Sequence, residues 1–347
     1  NGWLIYGNSY PGCCTDCVSQ AAYNSLAQMI DNRNATTLPA PGKFLPSAVI
    51  VTLLVCLPPC PALADTQVRP PEDVGVIGQV EYIRAHHDET LLDIARDQDI
   101  GQNEILVANP EVDRWLPGKG TVVTLPRRHV LPDAKREGLI LNLPEMRLYY
   151  FPAAARGETP VVITHPVSIG RMDWETPLCT TRIVAKKVDP TWTPPQSLKE
   201  EALADGEVLP DVVPAGPDNP LGRYAMRLGV PGYLIHSTNK PWGVGMRVTH
   251  GCVRMYPEDI EQLFDKVPVG TPVQIINQPV KLGWLADTLY LEIHPLMEDA
   301  GDNPAIDMQT VMDRIATFIG DRPVQLNGRA IRLAVETQHG MPVAITK

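Results

Sequence analysis

The sequence predicts a mainly β protein: a β-sandwich body, preceded by a small βααβ module and followed by a small α+β extension. Three observations carry this. Short runs rich in β-branched and aromatic residues recur between Leu139 and Ile276, separated by turn residues. Proline accounts for 35 of 347 residues, about twice the usual ~5% share, which favours loops and extended segments over a helical bundle. Helical periodicity is limited to a few short stretches, at 90–109, 257–267 and 308–319.

The N-terminal region is expected to be processed. Residues 44–57, "FLPSAVIVTLLVCL", form a largely apolar run of fourteen, short of the about 20 residues that a membrane span needs. Lys43 precedes it, and Ala62-Leu63-Ala64 offers the small-x-small pattern of a cleavage site. Residues 43–64 therefore read as a signal peptide, with a mature chain starting at Asp65 and containing no membrane span. Residues 1–42 resemble nothing downstream, and Met29 is the sole methionine before the apolar run. Residues 1–28 are expected to lie upstream of the true start, which N-terminal sequencing of the native protein checks. Of seven cysteines only Cys179 and Cys252 then remain, too few for a disulfide framework.

Residues 65–78 are polar with two prolines and read as a linker. In 79–127, a strand at 80–85 is followed by Thr90, which can cap a helix with Asp93 three residues on. A second helix at 102–109 stops at Pro110, and a strand returns at 121–126. From 136 to 278 the pattern is β. A hairpin pairs 139–143 with 147–151 across "PEM", and strands follow at 160–170, 180–188, 223–229, 233–238 and 271–276. One amphipathic helix fits 257–267. The proline-rich stretch 189–222 reads as a lid or substrate wall, because a long loop in a folded domain is more often functional than idle. The extension, 279–347, has strand candidates at 288–295 and 330–336. Between them Met308, Val311, Met312, Ile315 and Ile319 share one helical face, which reads as packing.

The net charge is −10, with no basic stripe, which argues against a nucleic-acid partner. Chemistry concentrates in "VTHGCVRM", residues 248–255. Cys252 can be a nucleophile, a metal ligand or a buried thiol. A thiol attacks acyl carbon as thiolate, so it needs a partner that takes its proton. His250 lies two residues before it, and His236 sixteen before it at the end of a predicted strand. If the segment is extended, His250 shares a face with Cys252. Gly251 leaves room for backbone N–H groups to face an oxyanion, and Arg254 is a fixed cation suited to a carboxylate. His236, His250 and Cys252 could together hold zinc. However, no paired-ligand spacing is present and Arg254 would repel a dication, so no metal or cofactor is expected there.

Two resemblances sharpen this reading. "DETLLDIARDQDIGQNEILVANP", within 79–126, resembles the LysM module, which implies binding to N-acetylglucosamine-containing glycan such as peptidoglycan. "YLIHSTNKPWGVGMRVTHGCVRMYPEDIEQLF", with "SIGRMDWETPL" and "GPDNPLG", resembles the L,D-transpeptidase (YkuD-type) catalytic domain from about Leu139 to Asn277. The order of modules looks like the ErfK/YbiS/YcfS/YnhG branch of Gram-negative enzymes. The resemblance implies a YkuD-type β-sandwich and a periplasmic cysteine acyltransferase acting on peptidoglycan tetrapeptide stems. Its products would be 3→3 crosslinks or a link to a murein lipoprotein. A hydrolase of the same fold and a non-catalytic glycan-binding protein are the alternatives. It further implies Cys252 as nucleophile, His236 as base and acid, and main-chain donors at His250, Gly251 and Cys252. Arg254, Ser237 and Thr249 would lie against substrate. Two positions depart from the family pattern: Ser237 and Cys179 each stand where glycine is usual. His86, His87, His129, His165, His294 and His339 fall outside the motif and read as surface or core residues.

Overall fold

The computed structural model describes residues 65–171, 174–296 and 306–347. The expected signal peptide and the segment before it lie outside these residues. The stretch 65–78, expected as a linker, is instead built into the fold. Strand β1 (Asp65–Val68) runs antiparallel along residues 161–164, and β2 (Val76–Ile77) is buried. Its polar composition suits an edge position, where one side of the backbone pairs and the other meets solvent.

The βααβ unit forms as the sequence predicts. Strand β3 (Glu81–Arg84) is followed by helices α1 (Leu91–Asp97) and α2 (Gln102–Ala108), and β4 (Val122–Leu125) returns antiparallel to β3. Thr90 Oγ1 accepts from the Asp93 amide at 3.0 Å, and Asp93 accepts from the Thr90 amide at 2.9 Å, the reciprocal cap that starts α1. Leu91, Ile94, Ile105, Val123 and Leu125 close a small core between the helices and the hairpin. Strand β5 (His129–Val130) then pairs with β2.

The body begins with the expected hairpin, β6 (Gly138–Asn142) and β7 (Arg147–Phe151). Strands β8 (Val161–Pro166), β9 (Ile169–Gly170) and β10 (Cys179–Val188) follow. After helix α3 (Gln196–Ala204) come β11 (Tyr224–Leu228), β12 (Leu234–His236), β13 (Arg247–Thr249), β14 (Val253–Arg254), helix α4 (Pro257–Lys266) and β15 (Pro272–Ile276). The main sheet runs β1-β8-β7-β6-β15-β10-β11-β12-β14, with β6/β15 and β12/β14 parallel.

Strand β10 joins two halves of this sheet. Its first four residues pair with β15 and the rest with β11, with a register shift between Ile183 and Ala185. A bulge of this kind lets one strand turn a corner between two packed layers. Leu139, Leu148 and Tyr150 from one half share a core with Met226, Ile235 and Val253 from the other. The alternate residues Ile140, Tyr149 and Phe151 are buried on the opposite face. Burial on both faces is why the hairpin reads as a continuous apolar run without alternation.

The extension comprises β16 (Val280–Leu285), β17 (Thr288–Ile293), α5 (Met308–Ile319), α6 (Gly328–Thr337) and β18 (Val343–Ala344). Residues 330–336, expected as a strand, are helical. Asn327 accepts from the Ala330 amide as an N-cap, and Ile331 and Ala334, three apart, are the buried positions. That spacing is helical, and it outweighs the β propensity of the valine and isoleucine. Everything described belongs to one compact unit, Pro58–Lys347.

Candidate active site

Cys252 sits at the mouth of β14, and β14 is held on both sides. On one side it pairs in parallel with β12, with Ile235 opposite Val253 and His236 opposite Arg254. On the other, Arg254 and Ser168 exchange backbone hydrogen bonds at 3.0 and 2.8 Å. The turn before it is fixed from below. Thr249 Oγ1 donates to the Cys252 carbonyl at 2.6 Å, and Thr176 Oγ1 donates to the Gly251 carbonyl at 2.9 Å. Gly251 has φ +94°, in the left-handed region that favours glycine. A β-carbon there would stand 2.8 Å from Tyr233 Cε1.

This turn changes the expected placement of the histidines. Residues 250–252 are not extended, so Gly251 breaks the same-face relation between His250 and Cys252. His250 Nε2 instead donates to Glu201 Oε2 at 3.0 Å, and its ring packs edge-on against Trp174 with centroids 5.2 Å apart. Glu201, on α3, also pairs with Arg171. Arg171 and His250 together hold its carboxyl below the usual carboxylate range. The proline-rich stretch expected as a wall thus reaches the 249–254 motif through a carboxylate. Sequence reasoning missed Glu201, Trp174 and Arg171. Glu201 lies 49 positions from His250, and no local pattern joins them.

His236 is buried, and its Nδ1 donates to the Ser237 carbonyl at 2.6 Å. A carbonyl can only accept, so Nδ1 carries the proton and Nε2 is the basic nitrogen of the neutral ring. Burial, and secondarily Arg254, push the imidazole down to about 4, while the carbonyls of Ser237 and Leu221 pull the other way. The ring is therefore neutral at ordinary pH. Burial pushes the Cys252 thiol up, with the Leu234 amide and Arg254 opposing. Sγ donates a long bond, 3.6 Å, to the Gly232 carbonyl. Among the described residues neither imidazole is hydrogen-bonded to it. The resting pair is thus a neutral thiol just before β14 and a neutral imidazole on the adjacent β12.

Arg254 is the charge that both of these groups sense. It is half-buried, no carboxylate among the described residues pairs with it, and Nε has no hydrogen-bond partner. Ser237 and Thr249, expected against substrate, are each 1% exposed. Thr249 spends its hydroxyl beneath the turn, on the Cys252 carbonyl. Cys179 begins β10, opposite Ile275, and packs against the main core as a small apolar side chain. Among the described residues, two groups have metal-ligand composition: Asp99-His165-Asp259 and Glu145-Glu292-His294. The second is filled by the Lys281 ammonium, 2.8 Å from Glu145 and 2.7 Å from Glu292.

Residues 136–275 match the model of the L,D-transpeptidase catalytic domain, YkuD. The probable L,D-transpeptidase YbiS of Escherichia coli K12 is 41% identical over 291 residues, covering 82% of this chain and 93% of its own. The probable L,D-transpeptidase ErfK/SrfK of the same organism is 40% identical over 293 residues, covering 82% and 92%. Among solved structures, the L,D-transpeptidase from Mycobacterium smegmatis is 22% identical with a TM-score of 0.31, covering 46% of this chain and 64% of that one.

Proposed function

This chain belongs to the L,D-transpeptidase family and is an enzyme of that kind, and on that premise we propose a cysteine acyl transfer on peptidoglycan tetrapeptide stems. Cys252 attacks the carbonyl that joins the L-centre of diaminopimelate to D-alanine. Its proton passes to His236 Nε2, and the carbonyl oxygen becomes an oxyanion facing main-chain N–H groups of 250–252. As the tetrahedral intermediate collapses, the C–N bond breaks and the imidazolium returns the proton to the departing D-alanine amine. A thioester on Cys252 remains. An acceptor amine then attacks, loses its proton to His236, and expels the thiolate. The acceptor is either the side-chain amine of a second stem, giving a 3→3 crosslink, or the C-terminal lysine of a murein lipoprotein. Water as acceptor would make the same site an L,D-carboxypeptidase.

The observation that carries this reading is the Nδ1–Ser237 bond, because it fixes the tautomer that leaves Nε2 free to take a proton. Thiol and imidazole are not bonded at rest, and catalytic hydrogen bonds of this type commonly tighten only with substrate in place. Arg254, unpaired and half-buried, suits the stem carboxylate that enters with the substrate. The test is mass spectrometry of the protein with a disaccharide-tetrapeptide. Loss of D-alanine with the adduct on Cys252 supports the reading, and an unmodified protein with intact substrate refutes it.

The βααβ unit is assigned as a LysM-type glycan grip, which would raise the local concentration of stems. Trp115 and Leu116 in its α2–β4 connection are 64% and 73% exposed, which suits stacking on sugar. No helix among the described residues is long and apolar enough to cross a membrane. We assign the mature enzyme to the periplasm, exported by residues 43–64.

With neutral His236 as the base, the acid limb of kcat/KM for acylation falls near pH 4. The ordinary histidine value of 6.5 would place it higher. A limb at 6.5 in a pH-rate profile would exclude buried His236 as that base. The same shift has a stability consequence. The unfolded chain takes up this proton near 6.5 and the folded chain only near 4, so His236 destabilises progressively as pH falls through that window. Gly251→Ala, in turn, strains the turn by about 1–3 kcal/mol and pushes against Tyr233. Donor misplacement at the oxyanion should lower kcat by about 10²-fold or more, measured by D-alanine release with the fold checked by circular dichroism.

A further inference from the structure

Where the βααβ unit meets the body, three potential ligands converge in a buried space. Asp99 comes from the connection between α1 and α2 and adopts φ +53°. His165 comes from β8, and Asp259 from the first turn of α4. One ligand atom from each lies within 4.8 Å of the others. They are 8%, 0% and 3% exposed. No N–H or hydroxyl donor reaches either carboxylate oxygen of Asp99 or Asp259 Oδ2, and the two carboxyl groups instead meet each other. Unpartnered carboxylate oxygens at this depth are costly unless something positive meets them.

We propose that Asp99, His165 and Asp259 hold a divalent cation of the zinc class, which clamps the βααβ unit to the catalytic body. His165 Nδ1 and Asp259 Oδ1 stand 3.4 Å apart. That is the edge of a tetrahedron whose corners lie about 2.1 Å from the centre, the usual zinc–nitrogen and zinc–oxygen length. Two carboxylates and a neutral imidazole balance two positive charges. The neighbouring cation, Arg147, is already neutralised by Glu104, which it meets through two bonds of 2.6 and 2.7 Å. The competing account is a proton shared between the carboxyls, since burial raises both, Asp259 to about 7.

The surroundings are built for a rigid joint. Tyr256 donates to the Ile100 carbonyl at 3.0 Å, and Arg96 pairs with Glu258 at 2.6 Å. The Gln102 amide donates to the Val244 carbonyl at 3.0 Å. A cation among Asp99, His165 and Asp259 would tie three separate elements at one point. The unit and the active site would then move together.

The test strips the purified protein with a chelator, returns Zn²⁺, and reads stoichiometry by native mass spectrometry and Tm by calorimetry. The expected result is one Zn²⁺ per chain and a Tm that rises with zinc concentration. Asp99→Asn and Asp259→Asn should each lose the ion, and Cys252→Ala should keep it. Absence of bound zinc in the wild-type protein overturns the proposal and leaves the shared proton. Zinc that persists in both carboxylate variants, or disappears in Cys252→Ala, also overturns it. Co²⁺ on the wild-type protein supplies a reading that needs no variant to fold. A thiolate charge-transfer band would place the ion on cysteine and exclude this site, whereas visible bands without it support it.

Discussion

Cys252→Ala is expected to abolish D-alanine release from a tetrapeptide stem, by at least about 10³-fold, with the fold unchanged. The argument is chemical. In the proposed mechanism the reaction divides into two transfers through a covalent thioester, and alanine offers no atom to carry the acyl group. What would survive is the binding of the stem and the polarisation of its carbonyl by main-chain donors, which alone give modest acceleration over water. The fold should tolerate the change because Sγ makes only weak polar contacts, a long bond to the Gly232 carbonyl and an approach to the Leu234 amide. The turn is held by Thr249, Thr176 and the β12–β14 pairing, none of which involves the thiol. The measurement is chromatography of released D-alanine together with intact-protein mass. Release above about a hundredth of the wild-type rate would show that Cys252 does not carry the acyl group.

The second large effect is on stability, at the seam between body and extension. Lys281 is buried on β16, with Nζ 2.8 Å from Glu145 Oε2, 2.7 Å from Glu292 Oε1 and 2.6 Å from the Val130 carbonyl. Glu292 also accepts from the Val130 amide at 2.6 Å and meets His294 Nε2 at 2.6 Å. Burial pushes Glu292 up, but Lys281 and His294 outweigh it and hold the carboxyl below its usual range. Lys281→Met fills the space and removes the charge, leaving two buried carboxylates facing each other. Breaking one side of such a network costs about 3–5 kcal/mol, a large part of the about 5–15 kcal/mol that keeps a domain folded. Urea titration reads this directly, and a loss below about 1 kcal/mol, the worth of an exposed pair, would refute the assignment.

The pH dependence of that variant has a definite sign. Without Lys281 burial is expected to raise the folded-state carboxyl of Glu292 above its unfolded value. Its protonated form is then favoured in the fold. Stability is kept at low pH and lost as pH rises through the raised value. The wild-type contribution of Glu292 runs the other way, being lost as pH falls through its lowered value. A variant whose deficit does not shrink on acidification would show that the loss comes from packing.

Much of this molecule was legible in the sequence because its signals are local. Thr90 and Asp93 announce their helix within four residues, and "PEM" between two apolar runs announces the hairpin. The motif at 249–254 places the glycine and the cysteine in one turn and the arginine on the strand that follows. Linear periodicity misled where burial depends on distant partners. Residues 65–78 are polar, yet β1 completes the sheet by pairing with β8. Residues 330–336 are rich in β-formers, yet one face of them packs as a helix. The geometry of the site was also outside the reach of sequence. Glu201 reaches His250 from a separate helix, and Gly251 turns His250 away from Cys252.

By itself, then, the sequence determined which side chains are present for chemistry and which short elements carry them. Capping, turn and alternation rules act over a few residues. Only the tertiary structure decided which nitrogen of His236 is free, what Arg254 faces, and where Asp99 meets His165 and Asp259. Those outcomes depend on burial and on contacts between residues far apart in the chain. The electrostatics of each group follow from that packing.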